Sequence, residues 1–218
     1  MLNVHKFFSW EGCPTPDVFL EVHYPWEVLA YIPRLIDELL KDKGSNYTQI
    51  APGVWIGEGT TVADTARFQG SAIFGKNCEI RPNAYVRGNV IAGDGVVLGN
   101  SSEVKQSILF SKVQLPHFNY VGDSILGRGV HLGAGAIISN FKSTKEPVKV
   151  RVGEEVIETG LRKLGAILGD EVEIGCNAVL NPGTLIGAKT VVYPLSSVRG
   201  YIAGGMIYKG SGDIVPYT

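Results

Sequence analysis

Three observations predict an all-β solenoid, a left-handed parallel β-helix built of hexapeptide repeats. Stepping by six from Ile50 meets Ile56, Val62, Phe68, Phe74, Ile80, Val86, Ala92, Leu98, Val104 and Phe110, and every stop is apolar. Four residues after each stop the side chain is mostly small or β-branched, as at Val54, Thr60, Ala66, Ala72, Cys78 and Ala84. Glycine supplies 28 of the 218 residues with no collagen triplet, well above the usual share of about 7%. Neither a helix, with period 3.6, nor a lone strand, with period 2, gives a six-residue beat. Each hexad therefore reads as a short strand plus a turn, and three hexads close one triangular coil. The apolar stop points inward and the small residue fits the corner. Glycine reaches turn conformations closed to other residues. Stacked coils then bury a continuous core.

The elements follow in order. Residues 1–48 read as an irregular lead and a helical cap. Tyr24-Pro25-Trp26-Glu27 opens a stretch in which Val28, Leu29, Ile32, Leu35, Ile36, Leu39 and Leu40 recur at helical spacing, with Pro25 in the first turn and Gly44 at the end. This helix is expected to sit on the open first coil. Residues 49–218 form the β-helix. Its phase breaks at Pro116, resumes at Tyr120, Leu126, Leu132 and Ile138, breaks again, and resumes at Leu168, Ile174, Leu180, Ile186, Val192 and Val198. The second break, about 140–165, alternates around Gly153 and reads as a β-hairpin projecting from the coil wall. Excursions of this kind are where rigid scaffolds place function.

Composition narrows the function. Twenty basic residues against 21 acidic ones leave a net charge of −1, which argues against nucleic-acid or membrane-surface binding, where a clustered basic excess is expected. The N-terminus lacks a basic region followed by an apolar segment, and no run approaches the ~18 apolar residues of a membrane span, so a cytoplasmic location is expected. Cys13, Cys78 and Cys176 are odd in number and widely spaced, which reads as reduced, buried thiols.

Chemistry is sought where the repeat is broken. His117 lies at the first break, as either a loop residue satisfying backbone or a general base. Glu103 and Lys105 lie one coil or less upstream, and Arg87 lies 18 residues before Lys105 on the same face. Two cations in register read as an anion site or as a solvated charged face.

These stretches resemble a known family. Gly-Asn-x-x-Glu-x-Lys at 99–105, His-x-x-Tyr-x-Gly-Asp at 117–123, Leu-Gly-Ala-Gly at 132–135 and Asn140 are similar to the C-terminal acetyltransferase domain of bacterial bifunctional N-acetylglucosamine-1-phosphate uridyltransferase/glucosamine-1-phosphate acetyltransferase. The hairpin and the following Thr159 to Ala166 are closer to archaeal bifunctional sugar-1-phosphate nucleotidylyltransferases with aminosugar acetyltransferase activity. The opening 48 residues hold no Gly-rich nucleotide loop, so the resemblance implies the acetyltransferase half alone. It implies a catalytic set of His117 as general base, Glu103 as the carboxylate beside it and Asn140 as an amide touching the transferred acetyl. An imidazole, with an ordinary pKa of about 6.5, suits proton transfer at neutral pH. It implies substrate binding by Arg87, Lys105, Tyr120, His131 and Lys149, and cofactor contacts from Ala134 and Cys176. His131 stands where the bacterial family has Asn, Cys176 where it tends to have Ser, and Lys145 is one position early relative to a second hairpin lysine. Another hexosamine phosphate or a nucleotide-linked sugar therefore stays open as acceptor. The co-substrate implied is acetyl-CoA, without a metal, and the assembly implied is a homotrimer with CoA between subunits.

Three readings compete. One is an acetyl-CoA-dependent N-acetyltransferase acting on an amino-sugar phosphate such as glucosamine-1-phosphate, in UDP-N-acetylglucosamine or other nucleotide-sugar biosynthesis. The second is a non-catalytic or accessory β-helix subunit of a separate nucleotidyltransferase. The third, a zinc-type β-helical carbonic anhydrase, needs three histidines, yet His5 and His23 lie outside the coils, leaving only His117 and His131.

Overall fold

The structure is a computed structural model that describes residues 4–43 and 46–217. Its strands form three walls of a solenoid. The first wall stacks Val54–Gly57, Ala72–Phe74, Val90–Ala92, Ser107–Leu109, Ile125–Leu126, Ala166–Leu168, Thr184–Ile186 and Tyr201–Ile202. The second runs from Thr61–Val62 to Met206–Gly210, and the third from Arg67–Gln69 to Ser197–Val198. Neighbouring rungs pair in parallel, as Ile73 with Ile91 and Ile80 with Leu98. Antiparallel pairs close two wall edges: Tyr47–Ala51 on Val54–Gly57, and Asp213–Pro216 on Met206–Gly210. Those two edges are thereby closed to pairing with a foreign strand.

The six-residue beat places Phe74, Ile80, Val86, Ala92, Leu98 and Val104 in the inner core. From there the structure departs from the expected phase. After Arg87 the chain takes Gly88 and Asn89 before Val90, but after Lys105 only Gln106 precedes Ser107, and the same shortcut recurs at Asp123. Both single-residue corners adopt left-handed backbone, φ +46° at Gln106 and +50° at Asp123. The repeat is thereby one residue shorter. Leu109, Leu115 and Val121 point inward, while Phe110 faces outward into a second apolar cluster. The break expected at Pro116 thus begins at Gln106. Tyr120, expected as an inward stop, lies half-buried on the outer face, and Ile50 is 41% exposed.

The first wall differs from the other two because both of its faces are buried. Ile73, Ile91, Ile108, Ile125, Ile167 and Leu185, each one rung apart, point away from the inner core and join Phe7, Phe8, Phe19, Trp26, Leu29, Ile32 and Ile36 in the second cluster. The N-terminal segment is therefore a strap along a wall, and its helix does not cap the open first coil. The strap climbs the corner between the first and second walls. Asp170 N donates to Phe7 O at 2.8 Å, and Ser111 N donates to Gly12 O at 2.9 Å. The helix itself divides. Pro25–Tyr31 is 3-10 and Ile32–Lys43 is α-helical, because Pro33 has no N–H to donate and fits only in a first turn. The Glu27 carboxylate accepts from His23 N and Tyr24 N at 2.9 and 3.1 Å, capping that start. Gly44, expected as the stop, lies outside the described residues.

Lys149–Val152 and Glu155–Glu158 form the expected antiparallel hairpin. It does not project freely: Val148, Val150 and Ile157 are buried in the second cluster. Among the described residues, no helix is long and apolar enough to cross a membrane.

Candidate active site

The third wall carries the polar cluster. Tyr85 pairs with Glu103 and Glu103 with Tyr120 along its rungs, and side chains two apart share a face. Arg87, Glu103, Lys105 and Tyr120 accordingly line the outer surface. The Arg87 guanidinium grips the Glu103 carboxylate, Nε at 2.9 Å and Nη2 at 2.7 Å. Lys105 Nζ lies 2.9 Å from Asp123 Oδ2. The same oxygen accepts from Asn140 Nδ2, and Tyr120 Oη donates to Asn140 Oδ1 at 3.4 Å. Burial pushes the Tyr120 phenol above its ordinary value, helped by the charges of Glu103 and Asp123. It is held as a neutral donor.

The two cations in register do not stand alone. Each is already paired with a carboxylate, so the four charges sum to zero. Donors remain, since a guanidinium carries five N–H groups and an ammonium three. Asp123 and Gly122 belong to the His-x-x-Tyr-x-Gly-Asp motif, whose spacing alone gives them no role. Asp123 is the hub of the network. A Cβ on Gly122 would stand 2.6 Å from Asn140 Nδ2 and 2.8 Å from Tyr120 Oη, so the network needs glycine there.

His117 ends a strand of the second wall, opposite Asn100. It is exposed, and its imidazole has no hydrogen bond among the described residues. Glu103, expected beside it, is bonded to Arg87 instead. The corner behind His117 is locked by buried Asn119, another residue the sequence reading passed over. Asn119 Nδ2 donates to Gly133 O at 2.8 Å, and its Oδ1 accepts from His117 N at 3.2 Å. Phe118 adopts φ +53°, a conformation that a bulky residue holds only under constraint.

The same corner forms a column up the solenoid. Gly135 N donates to His117 O at 3.0 Å, and Asn177 N donates to Ala134 O at 2.9 Å. His117, Ala134 and Cys176 thus occupy successive rungs. The thiols are unpaired, and the expectation that all three are buried fails at Cys176, which is exposed, and at Cys13, which is only half-buried. Two expected substrate residues stand apart. His131 lies on the second wall with Nδ1 2.9 Å from Glu173 Oε2. Lys149 lies on the hairpin, 2.7 Å from Glu158 Oε1. Among the described residues, no group of three His, Cys, Asp or Glu side chains is placed to hold a metal ion.

Residues 68–199 match the model of the GMPPB C-terminal domain. The chain belongs to that family. The matched span takes in every site residue from Arg87 to Cys176 and leaves the strap outside. The chain is 32% identical to the bifunctional sugar-1-phosphate nucleotidylyltransferase/acetyltransferase of Sulfurisphaera tokodaii, over 94% of this chain and 51% of that protein. It is 35% identical to the bifunctional protein GlmU of Methanocaldococcus jannaschii, over 77% of this chain and 42% of that protein. The chain thus spans about half the length of the curated relatives it matches. Among solved structures it is similar to the acetyltransferase domain of PglB from Neisseria gonorrhoeae in complex with acetyl coenzyme A, at 18% identity and a TM-score of 0.39, covering 75% of this chain and 57% of that one.

Proposed function

We propose that the protein is an acetyl-CoA-dependent N-acetyltransferase acting on an amino-sugar phosphate such as glucosamine-1-phosphate, a step in nucleotide-sugar biosynthesis. One observation carries the reading. An exposed imidazole without a side-chain partner among the described residues, His117, stands on a corner column with Ala134 and Cys176 and borders the third wall with its Arg87, Tyr120 and Asn140 donors. The acceptor amine attacks the thioester carbonyl carbon as a C–N bond forms. His117 takes the proton from that nitrogen. The C–S bond breaks, and the leaving thiolate receives a proton in turn. The unused Arg87 and Lys105 donors bind the phosphate, and Asn140 orients the acetyl. Ala134 and Cys176 line the path of the pantetheine arm. The strap and hairpin cover the first wall, which leaves the second and third walls for the neighbours in a cytoplasmic homotrimer. No metal enters this chemistry.

An accessory role beside a separate nucleotidyltransferase is the second reading, favoured by the internal neutralisation of Arg87 and Lys105. A panel of amino-sugar phosphates with acetyl-CoA, followed by free thiol release, separates the two. Turnover is expected with at least one of them. His117→Asn should lower kcat by roughly 10²–10⁴-fold with an unchanged melt. Near-normal turnover by that variant would remove His117 from the mechanism, and no thiol release with any acceptor would leave the accessory reading.

A further inference from the structure

The insertion brings a second set of charges together, on the corner between the third and first walls several rungs beyond Asp123. A cavity of about 110 Å³ there is lined by Lys142, Lys149, Arg151 and Arg199, with Gly183 and Gly200 at its back. These cations come from three separate parts of the chain. Lys142 lies 3.1 Å from Glu146, Lys149 2.7 Å from Glu158, and Arg199 Nη2 donates to Asn181 Oδ1 at 3.1 Å. Arg151 has neither an ion pair nor a side-chain hydrogen bond among the described residues. Neither glutamate lines the cavity. Four positive charges therefore face two negative ones that lie outside it.

Bare backbone is what lets the hairpin come this close. Gly183 and Gly200 sit at φ +79° and +80°, and a Cβ on Gly183 would stand 2.9 Å from Lys149 O. Gathering like charges around a small cavity is unfavourable unless an anion offsets them. Two of the four are guanidinium groups, whose planar forks match phosphoryl oxygens. We propose that this cavity binds a phosphoryl dianion, as inorganic phosphate or as the phosphate of a monoester, at a site separate from Arg87 and Lys105. It does not depend on the acetyl-transfer reading.

The test titrates the full chain, in phosphate-free buffer, with inorganic phosphate and separately with glucosamine-1-phosphate, by calorimetry. Saturable binding is expected. Arg151→Gln and Arg199→Gln should each weaken it about tenfold, and Arg87→Gln should leave this site unchanged. Binding of inorganic phosphate that is lost in the double variant supports the site with the free ion as its ligand. Binding of the monoester alone, lost in the same variant, supports it with the ester. Because glucosamine-1-phosphate also meets Arg87 in the proposed reaction, the deciding titrations use the Arg87→Gln background, where no saturable binding of either ligand, or binding retained once Arg151→Gln and Arg199→Gln are added, overturns it. Arg151 is exposed and without a side-chain partner among the described residues, so the single Arg151→Gln variant carries the measurement if the double one melts early. Arg151→Lys, which keeps the charge, should recover part of the affinity.

Discussion

Asn119 holds the corner that presents His117, and its worth follows from what it leaves behind. Asn119 itself is buried; its amide donates to Gly133 O and its oxygen accepts from His117 N. Asn119→Leu would take from His117 N the Asn119 oxygen, at about 1–3 kcal/mol, and strip Gly133 O of one of its two donors, Ala136 N remaining at 3.1 Å. Thermal unfolding should shift down by several degrees, and turnover per folded molecule should fall less than in His117→Asn, because the base itself is retained. The thiols offer a second test. Burial pushes Cys13 from 9.0 to about 12, so the fold favours the neutral thiol. Its stabilising contribution is complete below the ordinary value and is lost as pH climbs from about 9 towards 12. Urea midpoints measured across that range should decline less in Cys13→Ala. In the native protein at pH 8, an alkylating reagent should modify exposed Cys176 before Cys13 or Cys78.

At the scale of the element, the third wall holds two ion pairs of unequal burial. The Lys105 and Asp123 side chains are both 12% exposed, whereas Arg87 and Glu103 are 43% and 29% exposed. Screening makes the second pair worth about 1 kcal/mol or less. Lys105→Met, by contrast, strands a buried carboxylate, and breaking such a pair costs up to about 3–5 kcal/mol. Urea unfolding should therefore show a larger loss for Lys105→Met than for Arg87→Gln, and Asp123→Asn should recover part of the loss in the Lys105→Met background. Equal losses would mean that Asp123 is solvated. The short corners at Gln106 and Asp123 explain why this network exists at all. Dropping one residue shifts the repeat, turns Tyr120 outward, and brings Asp123 beneath Lys105.

Across the whole molecule, two apolar cores share one wall. The inner core is closed by the coils themselves, and the outer one needs residues 4–43 and the hairpin. Deleting the strap would bare a contiguous row of isoleucines on the first wall, the kind of patch that drives association. The truncated chain is expected to keep its β-rich circular dichroism yet bind a hydrophobic dye and elute as aggregates. A monodisperse, dye-silent truncation would show that the first wall does not need its cover.

The repeat was legible because a solenoid is nearly one-dimensional: each rung meets only the next, so a fixed beat along the chain is also a packing rule. Phe74, Ile80, Leu98 and Leu132 could be assigned inward from spacing alone. The quoted motifs likewise carried His117, Tyr120 and Asn140. A single-residue shortening at a corner leaves no mark in composition, and for that reason the spacing alone places Phe110 inward, whereas it lies in the outer cluster. The outward isoleucines at 73, 91, 108, 125 and 167 recur at nearly one coil and signal a covered wall, although nothing local says what covers it. Partners distant in sequence were decided only by the tertiary structure. Asp123 claims Lys105, Glu103 is bonded to Arg87, and Arg199 lines the same cavity as Arg151 of the hairpin. Charge pairing depends on distances of a few ångströms between segments tens of residues apart, and a periodic pattern encodes which face a side chain takes but not which neighbour it finds there.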